Sequence, residues 1–473
     1  MSLTSTRKTL TGKATNLREL RIRCRMSALK QEELEEYFVD TKAGRNPNAS
    51  IRTSLKLILE DAKDYGDYAR VLVYGHGGCG KSTELVQLSQ DLAEEFFIVR
   101  FSIDESGDAY KITPEEILLL LTENVIREID AHGNLTIGDQ YLQSIYSYFE
   151  TETRVTESKS NSNLGASAEA EAALPLLPAL VKLLGKLKAD MTFSTERRKT
   201  VISKIRKRSS ELIDDVRLLV EAVNATLDGE RELLVIVEDL DKLDIAQARR
   251  LFVEEGIILT QVPTHIIYTI PVFLIRAEDA AVLASRYKNR YTLPMIKTLG
   301  PDGVTPAEGF DLVRQVILKR VEDNVIEPEA LDLLIRKTGG LLQHAFDVLH
   351  HAALQDNAKI PLSVTEVRHA LERKKTQFWT EIGVPEGLDQ DLTNEDLYAR
   401  LAEIAKNQLS LHQNSETGTK NEPSSELVDQ ILLKQAAIIQ YNGSGWIGVH
   451  PLVLENLHAR GDIHLPAAYV LPA

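Results

Sequence analysis

The chain has 473 residues, of which 43% are hydrophobic and 26% are charged, and its formal net charge at pH 7 is -15. Because a single core rarely grows beyond about 300 residues, this length predicts two to four domains. The acidic balance argues against a protein that coats nucleic acid indiscriminately.

Cysteine usage and hydropathy narrow the class further. Cys24 and Cys79 are the two cysteines, so the sequence offers no disulfide framework and favours a reducing cytoplasm. We expect neither a secretory signal nor a transmembrane segment, because the chain opens without an apolar block and no apolar run is long enough to span a bilayer.

The first thirty residues form a strongly basic arm. Its charged residues are Arg7, Lys8, Lys13, Arg18, Glu19, Arg21, Arg23, Arg25 and Lys30. Such an arm could contact phosphate or an acidic neighbouring subunit, or it could be a solvated tail.

The segment from Val71 to Thr83 has every fixed position of a phosphate-binding P-loop between an apolar strand and an amphipathic helix. Its glycines allow positive φ, so that successive backbone N–H groups and the helix N-terminus can face phosphate oxygens. Lys81 would contact the β and γ phosphates, and the Ser82 hydroxyl would bind magnesium. The predicted nucleotide contacts are Gly75, His76, Gly77, Gly78, Cys79, Gly80, Lys81, Ser82 and Thr83. The alternative is an ordinary glycine-rich turn.

A long helical insertion is predicted after a second strand at 97–103. Its first helix begins with the capping sequence Thr113-Pro114-Glu115-Glu116, and further helices follow over 141–153 and 194–223. The alanine- and leucine-rich segment 168–191 favours a packed hairpin or oligomer contact over a membrane or partner-binding helix. A basic cluster could bind nucleic acid, be solvated or serve a neighbour's nucleotide. It comprises Arg197, Arg198, Lys199, Lys204, Arg206, Lys207 and Arg208.

The second chemical motif is the apolar strand that begins at Leu233 and ends in Glu238-Asp239-Leu240-Asp241. In a parallel sheet these carboxylates would share an edge with the P-loop. Glu238 would hold the metal with Ser82, and Asp239 would orient or deprotonate the attacking water. A shift of one residue would exchange these two roles. Asp241 is expected to cap the next helix, and all the carboxylates could instead merely cap a turn.

Two more strands complete five strands with intervening helices, which predicts a doubly wound parallel α/β core. They are expected at His265 to Ile275 and at Leu293 to Ile296, with a helix at 276–289 between them. Thr269 could bond the γ phosphate or the water, or be a buried threonine bonded to backbone. Arg286 or Arg290 could project into the active site of the next subunit.

The last third of the chain predicts an all-α lid followed by a helix, a hairpin and a closing helix. Lid helices are expected at 310–321, 328–337, from Gly339-Gly340 to Leu354, and after Ser363. Another helix is expected at 394–407, then a polar linker at 409–424 and a helix at 425–437. Asn442-Gly443 predicts a hairpin turn, and a helix at 452–457 completes a winged-helix pattern. We favour packing or regulation over base readout for it, because no basic helix precedes the hairpin.

Together these motifs resemble AAA+ ATPases, especially initiator-type proteins and the related STAND signalling ATPases, including bacterial ones of antiphage defence. The resemblance implies that Lys81 and Ser82 are the Walker A pair and that Glu238 and Asp239 are the Walker B carboxylates. It also implies Thr269 as first sensor and Arg286 or Arg290 as arginine finger. The chain departs from the family in having Gln343 and His344 where a second-sensor arginine is usual.

The predicted organisation is a basic arm at 1–30, a P-loop ATPase core at 31–300 with an insertion at about 110–228, a lid at 301–390 and a winged-helix-like domain at 391–473. The resemblance implies a cytoplasmic switch that binds and hydrolyses ATP with Mg²⁺ and whose nucleotide state controls homo-oligomerisation and a separate effector protein, with antiphage defence as the suggested context. A DNA-loaded regulator of replication or transposition and a nucleotide-binding scaffold with little turnover are the alternatives.

Overall fold

The computed structural model describes residues 11–103, 112–133, 135, 137–157, 175–227, 231–275, 280–300, 305–388, 391–413, 427–441, 446–466 and 469. Several predictions fall outside these residues. They concern Arg7, Lys8, the segment 168–174, most of the linker and the Asn442-Gly443 turn.

A five-stranded sheet with strand order β2-β3-β4-β1-β5 forms the centre of the molecule. The strands are β1 (Arg70–Gly75), β2 (Phe96–Ser102), β3 (Glu232–Glu238), β4 (His265–Pro271) and β5 (Asn289–Thr292). Every neighbouring pair is parallel. Val71 and Val73 pack on one face of the sheet, whereas Leu72 and Tyr74 pack on the other. Burial on both faces explains the continuous apolar strands, and the predicted parallel α/β core is confirmed.

The basic arm is folded where the structure describes it. Helix α1 (Leu17–Arg23) buries Leu20, and Ala14 pairs with Val321 of the lid. Arg21 Nη1 also donates to the Ala353 carbonyl at 2.9 Å. From residue 11 onward, a solvated tail is therefore the wrong description. Three helices follow before the first strand and one after the P-loop. They are α2 (Leu34–Tyr37), α3 (Lys42–Arg45), α4 (Ile51–Tyr65) and α5 (Lys81–Asp91).

The insertion is a bundle of five described helices beside β2 and β3. They are α6 (Pro114–His132), α7 (Asp139–Glu157), α8 (Leu176–Phe193), α9 (Thr195–Lys207) and α10 (Ser209–Thr226). The Thr113 capping box and the proline at the start of α6 are present as predicted. Leu180, Leu184 and Leu187 of α8 are buried in the bundle. Their burial favours the packed reading of this segment, and no helix among the described residues is long and apolar enough to cross a membrane.

Beyond β3 the chain forms a 3₁₀ turn (Leu240–Lys242), α11 (Ile245–Arg249) with a π-helical extension to Glu254, and α12 (Ala280–Arg286). The predicted last strand at 293–296 is wrong, because β5 lies four residues earlier. Pro294 lacks the N–H that a ladder needs, and Met295 N donates instead to the Gln440 carbonyl at 3.2 Å. As an edge strand, β5 is only partly buried and gave a weak apolar signal.

The C-terminal third consists of helices and one hairpin. The lid helices are α13 (Gly309–Leu318), α14 (Pro328–Lys337), α15 (Leu342–Ala352) and α16 (Val364–Glu381). Then come α17 (Asn394–Gln413), α18 (Leu427–Lys434), β6 (Ile438–Tyr441), β7 (Trp446–Val449) and α19 (Pro451–Arg460). Strands β6 and β7 pair antiparallel, as the hairpin prediction requires.

Candidate nucleotide-binding site

The P-loop connects β1 to α5, as the motif predicts. Gly78 and Gly80 have φ of 72° and 105°, which only glycine adopts at little cost. Gly80 is the N-cap of α5, so the helix begins at Lys81 with its first amide groups directed toward the loop. This geometry is the ordinary basis of anion binding at a helix N-terminus.

A cavity of about 1280 Å³ opens above the P-loop. Four parts of the chain form its walls: the segment from α1 to α3, the P-loop, the carboxyl ends of β2 and β3, and the lid. Its lining includes the apolar or aromatic residues Tyr37, Phe38, Val39, Val316 and Phe346 as well as the P-loop and the acidic strand end. The cavity is larger than the roughly 300–1,000 Å³ of usual small-molecule sites and offers both aromatic and polar groups, which a nucleotide can use.

Glu238 and Ser82 meet at the floor of the cavity. Glu238 is the last residue of β3, is only 5% exposed, and lies close enough to the Ser82 side chain for that hydroxyl to act on its carboxylate. Arg100 Nη1 of β2 lies 2.7 Å from Glu238 Oε1. Burial raises the pKa of Glu238 above its usual range, although Arg100 and Ser82 oppose this shift. The pairing of the hydroxyl with this carboxylate makes Glu238, rather than Asp239, the carboxylate next to Ser82.

Asp239 lies at the turn after β3, where its backbone adopts a left-handed φ of 69°. Its carboxylate accepts a hydrogen bond from the Ser102 hydroxyl and lies 3.0 Å from Lys242 Nζ. Asp239 lines the cavity, so a water molecule that attacks a bound phosphate could reach it. A non-glycine residue at positive φ is uncommon, and here it occurs immediately after the carboxyl end of β3.

Lys81 forms a buried ion pair that the sequence did not predict. Its Nζ lies 2.7 Å from Asp241 Oδ2 and donates to the carbonyls of Gly75 at 3.0 Å and His76 at 2.8 Å. Burial opposes the charge on Lys81, but Asp241, together with Cys79 and Asp239, more than offsets burial, so the pKa of the ammonium group is raised. Asp241 was expected to cap a helix. That cap is Asp244, which accepts from Gln247 N at 2.7 Å.

Two P-loop side chains point away from the cavity toward the C-terminal hairpin. His76 Nε2 accepts from Gln440 N of β6 at 2.9 Å, and burial lowers the pKa of His76 to about 3. Cys79 packs in an apolar cluster with Ile439 and Tyr441. If His76 and Cys79 contact a nucleotide, they therefore do so through their backbone amides.

The lid contacts the P-loop through Gln343. Its backbone N–H donates to the Gly78 carbonyl at 3.4 Å, and a Cβ at Gly78 would lie 2.2 Å from Gln343 Oε1. His344 points elsewhere, because its Nδ1 lies 3.2 Å from His450 Nε2. Of the two residues at the second-sensor position, only Gln343 lines the cavity.

Sequence reasoning missed two buried arginines in the cavity wall. Arg45 donates to Thr41 Oγ1 at 2.8 Å, to the Cys79 carbonyl at 2.6 Å and to the Pro294 carbonyl. Arg320 lies over the rings of Tyr37 and Phe346, at 5.6 Å and 5.0 Å from their centroids. Burial lowers the pKa of both guanidinium groups. Neither belongs to a recognisable motif, so no spacing rule identifies it.

The predicted sensor and finger residues lie apart from the cavity. Thr269 is buried in β4, and its hydroxyl donates to the Val237 carbonyl at 3.4 Å, as the backbone-bonded alternative describes. Arg286 Nη1 donates to the carbonyls of Phe252 and Val253 at 2.9 Å and 2.6 Å. Arg290 is exposed on β5 rather than at a helix end. Within this chain, therefore, Thr269 lies away from the cavity, whereas the finger role of Arg286 or Arg290 concerns the active site of a neighbouring subunit and stays a prediction.

The basic cluster of α9 is paired with acidic side chains of the same chain. Arg198 lies 2.6 Å from Glu116, and Arg206 lies 2.6 Å from Glu115. Arg197 pairs in the same way with Asp190 at 2.6 Å. These pairs fasten α9 to α6 and α8 and weaken the interpretation of the cluster as a nucleic-acid groove.

The oxygens of Ser82 and Glu238 suit Mg²⁺, which prefers hydroxyl, carboxylate, phosphate and water ligands. Among the residues that the structure describes, no group of three or more His, Cys, Asp or Glu side chains could hold a metal ion unaided. A magnesium ion at Ser82 and Glu238 would therefore take its other ligands from phosphate and water.

No protein-family model matches this chain, and no curated sequence is similar to it. Among solved structures, the Orc1 protein of Aeropyrum pernix in complex with DNA is 11% identical, with 91% of this chain and 96% of that chain covered and a TM-score of 0.36. A Walker-type ATPase of Pyrococcus abyssi is 13% identical, with coverages of 88% and 97% and a TM-score of 0.40. Cdc6p from Pyrobaculum aerophilum is 13% identical, with coverages of 89% and 96% and a TM-score of 0.34. The fold assignment therefore rests on the sheet and P-loop of this chain itself.

Proposed function

We propose that this chain is an ATP-binding and ATP-hydrolysing switch of the AAA+ or STAND type. One observation carries the proposal: the Ser82 side chain interacts with the buried carboxylate of Glu238, and both residues line a cavity whose other walls include the P-loop and the lid. A hydroxyl at the start of a P-loop helix beside a buried carboxylate is the arrangement that places a magnesium ion against phosphate oxygens.

Each residue of the site has a distinct role in this proposal. The P-loop amides bind the phosphates, and Lys81 offsets their charge after exchanging its partner Asp241 for phosphate oxygens. Ser82 and Glu238 hold Mg²⁺, which when bound polarises the phosphoryl oxygens. Asp239 orients or deprotonates the attacking water after release from Ser102. Tyr37, Phe346 and Val39 exclude water from the base.

The same contacts would couple the nucleotide to the C-terminal parts of the chain. The lid contacts Gly78 through Gln343, and β6 contacts His76 through Gln440. Lys434 of α18 donates to the Lys242 carbonyl, at 2.6 Å, in the turn that contains Asp241. Phosphate binding would shift Lys81 and the P-loop and so change the free energy of their contacts with the lid, β6 and α18. A switch requires such a difference between its bound and free states. We propose that the resulting movement controls homo-oligomerisation and a separate effector protein, in antiphage defence.

Nucleotide binding and assembly test the proposal directly. Fluorescence titration with a labelled ATP analogue, phosphate release and mass photometry would be carried out on the wild type and on Lys81→Ala, with and without Mg²⁺. We expect magnesium-dependent binding, turnover and a change of mass in the wild type, and loss of all three in the variant. Lys42→Ala, at an exposed lysine on α3, is the control. Wild-type protein that binds no nucleotide would refute the ATPase assignment, and equal masses under all conditions would refute assembly control.

Asp239→Asn separates hydrolysis from binding. If the chain is a switch that turns over ATP, phosphate release should fall by about 100-fold or more while the nucleotide still binds. An unchanged rate would instead support the scaffold interpretation, in which turnover has no role.

A further inference from the structure

We propose that Arg100 is a catalytic residue of this site that acts within its own chain, alternating between Glu238 and the γ phosphate. The inference rests on the proposed ATPase function. Arg100 lies on β2, and its Nη1 is 2.7 Å from Oε1 of Glu238, the carboxylate beside Ser82. Its side chain is 36% exposed and lines the cavity, whereas the side chain of Glu238 is 6% exposed.

The partner of Arg100 distinguishes it from the other cations at this edge of the sheet. Lys81 pairs with Asp241, and Lys242 pairs with Asp239. Arg100 pairs instead with Glu238, the carboxylate that the site offers to Mg²⁺. Because a divalent cation and a guanidinium compete for the same carboxylate oxygens, Mg²⁺ at Glu238 would weaken the hold on Arg100. The guanidinium of Arg100 thus neutralises Glu238 as Mg²⁺ would.

Once released, Arg100 has a nearby anion to bind. Its exposed side chain borders the cavity beside Ser82, where the terminal phosphate of a P-loop ligand meets the metal. A guanidinium carries five donors in a planar fork that matches phosphate oxygens, and its charge stays fixed. It can therefore stabilise the charge that develops on the γ phosphate as the bond to the leaving group breaks and water adds to phosphorus.

One of the two predicted finger residues, Arg286, is less available for such a role. Arg286 is held by two carbonyl groups of its own chain, those of Phe252 and Val253. To act on a neighbouring subunit, Arg286 would first have to break both bonds. Arg100 needs only to exchange one carboxylate for a phosphate within the same cavity.

The test uses Arg100→Ala, with Arg217→Ala as a control, because Arg217 is an exposed arginine of α10 with a 3.7 Å partner in Asp214. Binding of a labelled ATP analogue is titrated with Mg²⁺, and hydrolysis is measured in single turnovers. We expect Arg100→Ala to lower the Mg²⁺ concentration for half-maximal binding about 3- to 10-fold, because the competing cation is gone. We also expect the single-turnover rate to fall about 100-fold or more. The control should change neither quantity.

The proposal requires both the lower Mg²⁺ midpoint and the slower single turnover of Arg100→Ala. A single-turnover rate within about threefold of the wild type would overturn the proposal, and so would an unchanged or higher Mg²⁺ midpoint. If Arg100→Ala does not fold, Arg100→Lys decides. Lysine keeps a positive charge beside Glu238 but lacks the planar guanidinium that matches phosphate oxygens. A single-turnover rate about tenfold lower than that of the wild type therefore supports the proposal, and a wild-type rate refutes it. Wild-type protein without nucleotide binding would refute the ATPase assignment itself and, with it, the role of Arg100.

Discussion

Replacing Asp241 by asparagine should make this protein bind ATP more tightly. In the structure the carboxylate of Asp241 lies 2.7 Å from Lys81 Nζ, and the two side chains are 9% and 4% exposed. A bound triphosphate needs the same ammonium group. Asp241 therefore competes with the ligand for Lys81, and an isosteric neutral side chain removes that competition.

The magnitude follows from the distance. At 2.7 Å and an effective dielectric constant of about 20, the Coulomb attraction is roughly 6 kcal/mol, much of which the desolvation of both groups offsets. Removing one partner of a buried pair typically costs about 3–5 kcal/mol, so the nucleotide-free Asp241→Asn protein should be less stable than the wild type by about 3 kcal/mol. Phosphate restores a partner to Lys81. We expect the dissociation constant to fall about 10- to 100-fold, which corresponds to about 1.4–2.8 kcal/mol.

Thermal unfolding with and without nucleotide, together with titration of a labelled ATP analogue, measures both effects. Asp244→Asn is the matched control: it removes a nearby carboxylate but keeps a good helix cap, so it should leave the dissociation constant unchanged. Equal or weaker nucleotide binding by a folded Asp241→Asn protein would refute the reasoning, because Asp241 would then support the bound state rather than compete with it.

Three further substitutions test the fold around the site. Gly340→Ala should lower the free energy of unfolding by about 3 kcal/mol or more, because Gly340 has a φ of 81° and a new Cβ would lie 2.0 Å from a backbone carbonyl. Gly387→Ala, with a φ of 76° and open space, should cost only about 1 kcal/mol; equal losses in urea titrations would contradict the steric argument. Burial lowers the pKa of His450 to about 3, so the unfolded chain binds a proton that the folded chain rejects below about pH 6.5. The wild-type free energy of unfolding should therefore fall for this group as the pH drops below 6.5, with a slope that approaches about 1.4 kcal/mol per pH unit near pH 5, and His450→Asn should remove that part of the slope in pH-dependent melting; an unchanged slope would contradict it. Arg45→Lys should cost about 3 kcal/mol in urea unfolding because one ammonium group cannot reach all three acceptors, whereas the exposed Lys42→Ala should stay within about 0.5 kcal/mol.

Local backbone chemistry explains why the nucleotide motifs could be predicted. Gly78 and Gly80 adopt positive φ in a loop between an apolar strand and a helix, which a few adjacent residues specify. The capping box at Thr113 and the hairpin of β6 and β7 are equally local. The expected proximity of Glu238 to Ser82 followed from one further rule, that parallel strands present their carboxyl ends at the same edge.

The errors in prediction occurred where a residue's partner is distant in the chain. The partly buried edge strand β5 gave too weak an apolar signal to be found, whereas the apolar Met295 after Pro294 pairs with the distant C-terminal hairpin instead of with β1. Thr269 could face a ligand or the sheet, and only the neighbouring β3 backbone decides between them.

By itself, the sequence determined a parallel α/β core with a P-loop and an acidic strand end, because short-range backbone geometry and apolar periodicity encode both. Tertiary structure alone decided the pairing of Lys81 with Asp241, the place of Arg100 beside Glu238, and the burial of His76 under β6. Charge pairing depends on distances of a few ångströms between side chains that folding brings together, and the order of residues along a chain does not specify those distances.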